Sequence, residues 1–338
     1  MSQNDSKTRA FETVHNSGLQ SKISRQKLVI AIFVIIILIL LAFATLIIGN
    51  ILSQLDGDFL PINPPSRDVD DVPKDSGDVN VGSLLFINDE FLYEMPSEFE
   101  NMINLFVYRK NSENIDKIEI NGYLTYSLSA DRIALDKTAL DAFNLMILDY
   151  CKTLDLSGAS QNSASNLVVA WGGYTSSTLH EYNEDITNIG KDYYDHGLGT
   201  TVTLKSYQPS EAITEDILKK DFTWIYENAH KYGFILRFPN ACKDHTGFDS
   251  TKRVHLRYVG EVHATYMYEN GLCLEKYLET LRAHSVNDPI YVNVNGKTYE
   301  IYYVAHSGNP TNVPVPKEAA SYTISGDNMH GFIVTAEK

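Results

Sequence analysis

The sequence predicts an α+β fold, because strand-like and helix-like segments alternate irregularly along most of its 338 residues. "NLVVAWGGYTS" and "TTVTL" are short runs rich in β-branched residues and bounded by turn formers, as is typical of strands. In "LDKTALDAFNLMILDYCKTL" the apolar residues recur every three or four positions and predict a helix with one buried stripe: Leu140, Phe143, Ile147 and Tyr150.

Further elements follow in order. "SLLFIND" suits a strand that opens the globular part, and the pattern from Glu215 to Tyr232 is helical, with Gly233 as its stop. "EVHATYMYENG" and "CLEKYLETLRAH" predict two more helices. Alternating residues around Asn295-Gly296 predict a closing β-hairpin.

The N-terminal part predicts a membrane anchor. Residues 28–49 contain an uncharged apolar run, "LVIAIFVIIILILLAFATLII", of the length that a helix needs to cross a bilayer. A cleaved signal peptide has a shorter apolar region and a small-residue cleavage site. The tail, residues 1–27, carries five basic residues against two acidic ones, which predicts a cytoplasmic N-terminus and an extracellular C-terminal domain.

Residues 50–81 are rich in proline, aspartate and glycine and predict a disordered stalk. The net charge of the chain is −15, and the basic tail leaves about −18 on the extracellular part. Such an acidic domain excludes nucleic acid as an expected partner. The three cysteines, Cys151, Cys242 and Cys273, have no metal-ligand spacing; one disulfide is possible outside the cell, but small buried residues are the preferred interpretation.

Several motifs resemble one family. "GGYTSS", "DHGLGTTVT", "FTWIYENAHKYGFILRFP", "VHLRYVGEVHA" and "GLCLEKYLE" occur in the order found in the D-alanyl-D-alanine carboxypeptidases of the vancomycin-resistance type, which are zinc peptidases. The resemblance implies a carboxypeptidase-like domain over residues 82–288, with a small mixed or antiparallel sheet flanked by helices. The hairpin region, residues 289–338, resembles an extension packed on that domain.

The resemblance also exposes departures at the expected active site. His196 and His255 match two metal ligands of the family, but the position of its aspartate ligand holds Thr203. The position of the glutamate base holds Lys252. The arginine that holds a substrate carboxylate is replaced by Thr175.

These departures predict loss of catalysis. A catalytic zinc needs about three protein ligands, and threonine is no anionic ligand. A protonated lysine repels a dication and is no base near neutral pH. Replacement ligands are an open alternative, in which case Zn²⁺ is the cofactor; otherwise none is expected. The candidate replacements are Asp195, Asp192, His180 and His245.

The other histidines, His230 and His263, lie on predicted helices and are interpreted as packing or surface residues. Thr175, Ser176, Lys252 and Arg253 are candidate binding residues, with Lys252 and Arg253 as an anion site or an ordinary solvated pair. The preferred hypothesis is an inactive surface protein that binds peptidoglycan stem peptides or another surface protein. An active zinc carboxypeptidase with rearranged ligands and a structural partner in a membrane complex are the alternatives.

Overall fold

The computed structural model describes residues 67–87, 91, 101–173 and 191–338, without the side chains of residues 191–193. The predicted membrane helix, residues 28–49, and the predicted tail lie outside these ranges. Within the described ranges no helix combines the length and apolar character needed to span a bilayer.

The described elements are short strands and helices. The strands are β1 Val69–Lys74, β2 Met102–Asn104, β3 Glu119–Ile120, β4 Tyr123–Leu124, β5 Ser127–Leu128, β6 Ala134–Asp136, β7 Leu167–Trp171, β8 Thr201–Ser206, β9 Phe234–Leu236, β10 His255–Tyr258, β11 Ile290–Val294, β12 Lys297–Ala305, β13 Thr311–Pro316, β14 Ser321–Gly326 and β15 Gly331–Glu337. The α-helices are α1 Leu105–Lys110, α2 Ile115–Ile118, α3 Lys137–Lys152, α4 Glu215–Asp221, α5 Thr223–Asn228, α6 Lys243–Thr246, α7 Glu261–Glu269 and α8 Leu274–Leu281.

The central sheet is mixed and has five strands in the order β5-β7-β8-β10-β9. The β5–β7 pair is parallel and the other three pairs are antiparallel. Helix α3 covers one face, and its predicted apolar stripe is buried. The side chain of Asp136 begins this helix by accepting hydrogen bonds from two backbone N–H groups of its first turn. The mixed α+β fold predicted from sequence is therefore confirmed.

Residues alternate between the two faces of the central sheet. Along β8, Val202 and Leu204 belong to the core beneath α3, and along β10 Leu256 does the same. Because side chains on a strand alternate, Thr203 and His255 lie on the opposite face. The face without α3 is therefore where the residues of the predicted metal motifs come together.

The predicted helix from Glu215 to Tyr232 is broken into three pieces. Helices α4 and α5 meet at Phe222, and a 3-10 turn, Ala229–Tyr232, follows. Gly233 ends this segment with a φ of 81°, a left-handed conformation that glycine adopts without strain. The stop signal is confirmed, whereas a continuous helix is not.

The C-terminal segment is larger than a hairpin. Strands β11, β12, β15 and β14 form an antiparallel sheet in that order. The predicted turn is present between β11 and β12, with φ of 52° at Asn295 and 77° at Gly296, as a type I′ turn requires. The sheet packs on α7 and α8 through a shared apolar cluster.

The predicted stalk, residues 50–81, is wrong over its described part. Strand β1 pairs with β13 along six residues, from Val69↔Pro316 to Lys74↔Thr311. Arg67 supports this attachment by ion pairs of 2.7 Å to Glu300 and to Glu318. The segment "VDDVPK" looks like a linker because it is polar and contains proline, but an edge strand tolerates both.

The predicted opening strand, "SLLFIND", is also not a strand over residues 83–87. Leu84 is fully buried, but its backbone N–H donates to the Ser325 hydroxyl at 3.1 Å instead of to a neighbouring strand. The carbonyl of Leu85 accepts a hydrogen bond of 2.5 Å from Arg257. Apolar content identified this segment as core, but its backbone hydrogen bonds go to side chains and, at Phe86, to the backbone carbonyl of Asp327, and not to a neighbouring strand.

Candidate functional site

Three side chains from the predicted metal motifs converge on the face of the central sheet opposite α3. His196 lies on the 3-10 helix Lys191–Leu198, Thr203 on β8 and His255 on β10. The Thr203 Oγ1 atom lies 3.0 Å from His196 Nε2 and 2.9 Å from His255 Nδ1. The two imidazole rings meet edge to face with centroids 5.2 Å apart. Family resemblance placed these three residues in one site, and the fold brings them together.

Local backbone geometry explains this convergence. Thr203 and His255 are directly opposite each other in the antiparallel β8–β10 pair. His196 is turned toward them by Gly199, whose φ is 73° and where an added Cβ atom would lie 2.6 Å from Met102 Sδ. The Gly199 carbonyl accepts a hydrogen bond of 2.8 Å from the backbone N–H of Asp136. Glycine at this position fixes the path of the chain from the helix into the strand.

The three side chains of this cluster are buried and are linked by hydrogen bonds between a hydroxyl and two imidazoles. His196, Thr203 and His255 are exposed by only 0%, 3% and 1%. A hydroxyl group donates one hydrogen bond and accepts others, so Thr203 donates to one ring nitrogen and accepts N–H from the other ring. These three side chains contain no carboxylate, and their mutual hydrogen bonds use only the hydroxyl and the two imidazoles.

The donors of this cluster do not fit a catalytic zinc by themselves. Two imidazoles and a neutral hydroxyl supply no anionic ligand to offset a divalent charge. Among the described residues, no group of three or more histidine, cysteine, aspartate or glutamate side chains is arranged to hold a metal ion.

Asp195, one candidate replacement ligand, is committed to a different cluster. It is 2% exposed and forms ion pairs with two buried arginines, Arg237 and Arg257. Arg257 Nη1 lies 3.0 Å from Asp195 Oδ1, and Arg237 Nη1 donates at 2.7 Å to Glu275. Moving the Asp195 carboxylate toward His196 would leave two guanidinium groups without their shared partner.

Among the described residues, none of the other candidate replacement ligands joins the cluster. His245 is exposed on helix α6. His180 and the side chain of Asp192 lie outside what the structure describes. A rearranged zinc site therefore has no additional ligand within the described part of the chain.

The predicted binding residues are only partly described. Lys252 is exposed and Arg253 is half-buried, both in the turn that precedes β10. Thr175 and Ser176 lie outside the described residues. Of the four predicted binding residues, only Lys252 and Arg253 therefore lie within the described part of the chain.

A groove of about 500 Å³ on the Thr203 side was missed by sequence reasoning. Lys205 lines it and lies two residues after Thr203 on β8, so the two side chains share a face about 7 Å apart along the strand. Arg109 and Tyr207 also line the groove, together with Asp131. The position of Lys205 within "TTVTLKS" was the available signal, since it continues the alternation that starts at Thr203.

His230 and His263 are packing residues, as predicted. His230 is 9% exposed and stacks on Tyr268 with ring centroids 3.9 Å apart. His263 Nδ1 lies 2.7 Å from the Tyr277 hydroxyl, and its Nε2 lies 3.0 Å from the Thr335 hydroxyl. Burial lowers the pKa of His263 to about 4, so the ring is neutral near pH 7.

The three cysteines are free thiols and all are buried. Burial raises the pKa of Cys151 to about 12, which keeps its thiol protonated. The interpretation of the cysteines as small buried residues is therefore confirmed.

Comparison with known proteins gives the same family as the motifs. A family model described as VanY, D-alanyl-D-alanine carboxypeptidase, matches residues 187–261, which include the whole His196–Thr203–His255 cluster. A D-alanyl-D-alanine carboxypeptidase of Enterococcus faecium is 31% identical over 258 residues, which is 75% of this chain and 75% of that protein. A putative carboxypeptidase, YodJ, of Bacillus subtilis (strain 168) is 33% identical over 101 residues, or 29% of this chain and 36% of the relative.

A solved structure shares the fold. The vancomycin resistance D,D-dipeptidase VanXYg, crystallised with a D-Ala-D-Ala phosphinate analog, aligns with a TM-score of 0.58 and 19% sequence identity. The alignment covers 80% of this chain and 100% of that one. Together with the identity to the enterococcal enzyme, these findings show that the chain belongs to the VanY family of D-alanyl-D-alanine carboxypeptidases.

Proposed function

We propose that this family member binds peptidoglycan stem peptides ending in D-Ala-D-Ala at the outer face of the cell membrane, and does not hydrolyse them. The proposal joins the family's substrate class to the chemistry of the residues in the cluster. In this proposal the buried cluster supports the peptide-binding surface, and hydrogen bonds take the place of the metal.

The observation that carries the proposal is the pair of hydrogen bonds made by Thr203. Its hydroxyl engages His196 Nε2 at 3.0 Å and His255 Nδ1 at 2.9 Å, so it occupies the ring nitrogens that face the centre of the cluster. A metal would have to displace these bonds, and no third histidine, cysteine or carboxylate among the described residues is arranged to replace them. Retention of the histidines then follows from hydrogen bonding and packing in the buried cluster.

The position of the family's base supports the absence of hydrolysis. Lys252 is exposed before β10 and carries a positive charge near neutral pH. A group that takes a proton from water needs a pKa near the working pH and a free lone pair. Lys252 and Arg253 instead supply positive charge that suits the terminal carboxylate of a stem peptide.

The groove beside β8 provides a second supporting feature. Lys205 and Arg109 give it positive charge, opposed by Asp131, in a domain whose overall charge is strongly negative. A peptide with a free carboxylate is attracted to such a local basic site, whereas long anionic wall polymers are repelled by the rest of the domain.

The proposal includes a membrane anchor formed by residues 28–49. The apolar run and the basic residues on its N-terminal side favour a single helix with the C-terminal domain outside the cell. Limited proteolysis of intact cells tests this: an extracellular domain is released by external protease, and a cytoplasmic domain is protected.

One preparation of the full-length chain in nanodiscs tests binding and catalysis together. We expect no D-alanine release after Zn²⁺ is added, and saturable binding by calorimetry of a stem pentapeptide ending in D-Ala-D-Ala. The matched control is the same peptide with a C-terminal amide, which removes the carboxylate and should bind about tenfold more weakly.

Three results would count against the proposal. Release of D-alanine together with stoichiometric zinc would establish an active enzyme with rearranged ligands. Equal affinity for the acid and the amide would remove the role of the basic residues. Absence of peptide binding by a folded chain would favour a surface protein or a membrane complex as the partner.

A further inference from the structure

A second pocket lies at the edge of the central sheet formed by β9. It has a volume of about 210 Å³ and is lined by helices α4, α5 and α7 and by strands β9 and β10. Leu256 lines it, whereas its neighbour His255 faces Thr203 on the opposite side. None of His196, Thr203 and His255 lines this pocket.

The walls of the pocket are mainly apolar. The side chains of Leu218, Ile225, Phe234 and Leu256 are exposed by 1% or less, and all four line the pocket. A cavity of about 150 Å³ with a lining of this kind stays dry and holds a molecule of the size of benzene. The volume here accommodates one six-membered ring with a small substituent.

One polar atom on the wall has no hydrogen-bond partner within the described part of the chain. His230 lines the pocket at 9% exposure, and its Nδ1 atom makes no hydrogen bond among the described residues. Stacking on Tyr268, with an angle of 7° between the planes, fixes the orientation of the imidazole. A buried donor or acceptor without a partner costs free energy, and a ligand that satisfies it recovers that cost.

The charged groups of the pocket are already paired. Glu215 Oε1 lies 2.6 Å from Lys219 Nζ, and Glu215 Oε2 accepts a hydrogen bond of 2.6 Å from the backbone N–H of Asn240. Burial, and secondly the charge of Lys231, lowers the pKa of His230 to about 4, so the ring is neutral near pH 7. An ionic ligand would lose its hydration without gaining an opposite charge.

We propose that this pocket binds one small neutral molecule, consisting of a ring-sized apolar body with a single hydroxyl that hydrogen-bonds to His230 Nδ1. A hydroxyl fits because it both donates and accepts, and so it pairs with Nδ1 in either tautomer of the neutral imidazole. The apolar body fills the space between Leu218, Phe234 and Leu256. This ligand site lies apart from the peptide site and does not depend on it.

Two closely related probes test the proposal with the full-length chain in nanodiscs. The probes are 4-fluorophenol and fluorobenzene, which differ by the hydroxyl and are both observed by ¹⁹F NMR; empty nanodiscs correct for partition into lipid. We expect saturable binding of one 4-fluorophenol per chain, with fluorobenzene about three to tenfold weaker, the range of one net hydrogen bond.

Variants separate the hydroxyl contact from the volume. His230→Phe keeps a ring for stacking on Tyr268 and should weaken 4-fluorophenol about three to tenfold, to the affinity of fluorobenzene. His330→Phe, at an exposed histidine near the C-terminal sheet, should change neither probe. Ala264→Leu fills the pocket from α7 and should abolish binding of both probes. If circular dichroism shows that this variant is misfolded, Ala229→Leu fills the pocket from the 3-10 turn instead.

Several results would overturn the proposal. Absence of saturable binding of 4-fluorophenol to the native chain would show that the pocket takes no such ligand. Equal affinities for the two probes, or an unchanged affinity in His230→Phe, would remove the hydrogen bond to His230. Binding that persists in a folded pocket-filling variant would place the probe elsewhere.

Discussion

Two buried polar clusters share the 3-10 helix Lys191–Leu198 and strand β10 but differ in their charge. The neutral cluster, His196, Thr203 and His255, is held by hydroxyl-to-imidazole hydrogen bonds. The ionic cluster is formed by two arginines and two carboxylates: Asp195, Arg237, Arg257 and Glu275. Asp195 directly precedes His196, and Arg257 is two residues from His255, so the same segments supply both clusters.

The two clusters differ in the partners of their polar groups. In the ionic cluster every arginine has a carboxylate partner. Arg257 also donates to the carbonyls of Ser83 and Leu85, and these bonds attach that segment to β10. In the neutral cluster a hydroxyl stands where the family resemblance implies a carboxylate. The ionic cluster therefore holds together the segments that carry its four side chains, while the His196–Thr203–His255 cluster lies where the family resemblance implies metal ligands.

The largest expected effect is loss of the ionic cluster through Asp195→Asn. Two buried guanidinium groups then lose their shared negative partner, which costs about 3–5 kcal/mol of unfolding free energy. Urea denaturation followed by circular dichroism measures this loss. Asp68→Asn, which breaks an exposed pair with Lys317, is the matched control and should leave the midpoint unchanged. A small effect at Asp195 would mean that the arginines are solvated.

Next in size is the conversion of the neutral cluster into a metal site by Thr203→Asp. The variant adds an anionic ligand between His196 and His255, and zinc affinity should rise on the order of 100-fold or more. Competition with a fluorescent chelator gives the affinity. Thr214→Asp adds the same charge at the N-terminus of helix α4, where aspartate is a good cap, and should not change zinc binding. Equal zinc binding by the native chain and Thr203→Asp would show that another residue already supplies the ligand.

A smaller effect is expected when the hydroxyl alone is removed. Thr203→Val keeps the shape of the side chain but breaks both of its hydrogen bonds to buried imidazoles, which costs about 1–3 kcal/mol. Thr323→Val, at an exposed position of β14, should change stability by less than about 0.5 kcal/mol. If the two variants unfold at the same denaturant concentration, the bonds of Thr203 contribute little and the neutral cluster is held by packing alone.

Much of this organisation was predictable, for identifiable reasons. Strands β7 and β8 follow from short runs of β-branched residues and helix α3 follows from apolar periodicity, whereas the meeting of His196, Thr203 and His255 follows from motif resemblance. The ionic cluster is indicated in the sequence by Arg237 and Arg257, which interrupt the apolar runs "FILRFP" and "HLRYVG". An arginine within such a run needs a buried carboxylate.

Other features could not be predicted from local sequence. Strand β1 is polar and contains Pro73, so only its pairing with β13, more than 230 residues away, identifies it as a strand. The pocket beside His230 depends on how helices α4, α5 and α7 pack on the sheet. Periodicity gives the buried face of each helix, but it does not give the space left between them.

The pH dependence of stability extends the comparison to a third buried polar group. His263 is held by two hydroxyls, from Tyr277 and Thr335, and thus repeats the histidine and hydroxyl pairing of the neutral cluster. Its folded pKa is about 4 against an ordinary value of 6.5, so the unfolded chain binds this proton first. The stability contributed by neutral His263 is therefore present above pH 6.5 and is lost as the pH falls from 6.5 toward 4, by up to about 1.4 kcal/mol per pH unit.

Urea titrations at pH 7.0, 6.0 and 5.0 measure this slope. His263→Gln keeps hydrogen-bonding groups for both hydroxyls but cannot titrate, so its slope should be shallower by up to about one proton. The exposed His330→Gln should retain the native slope. A native slope in His263→Gln would show that this ring is solvated or protonated in the folded chain, and that hydroxyl partners do not by themselves keep a buried histidine neutral.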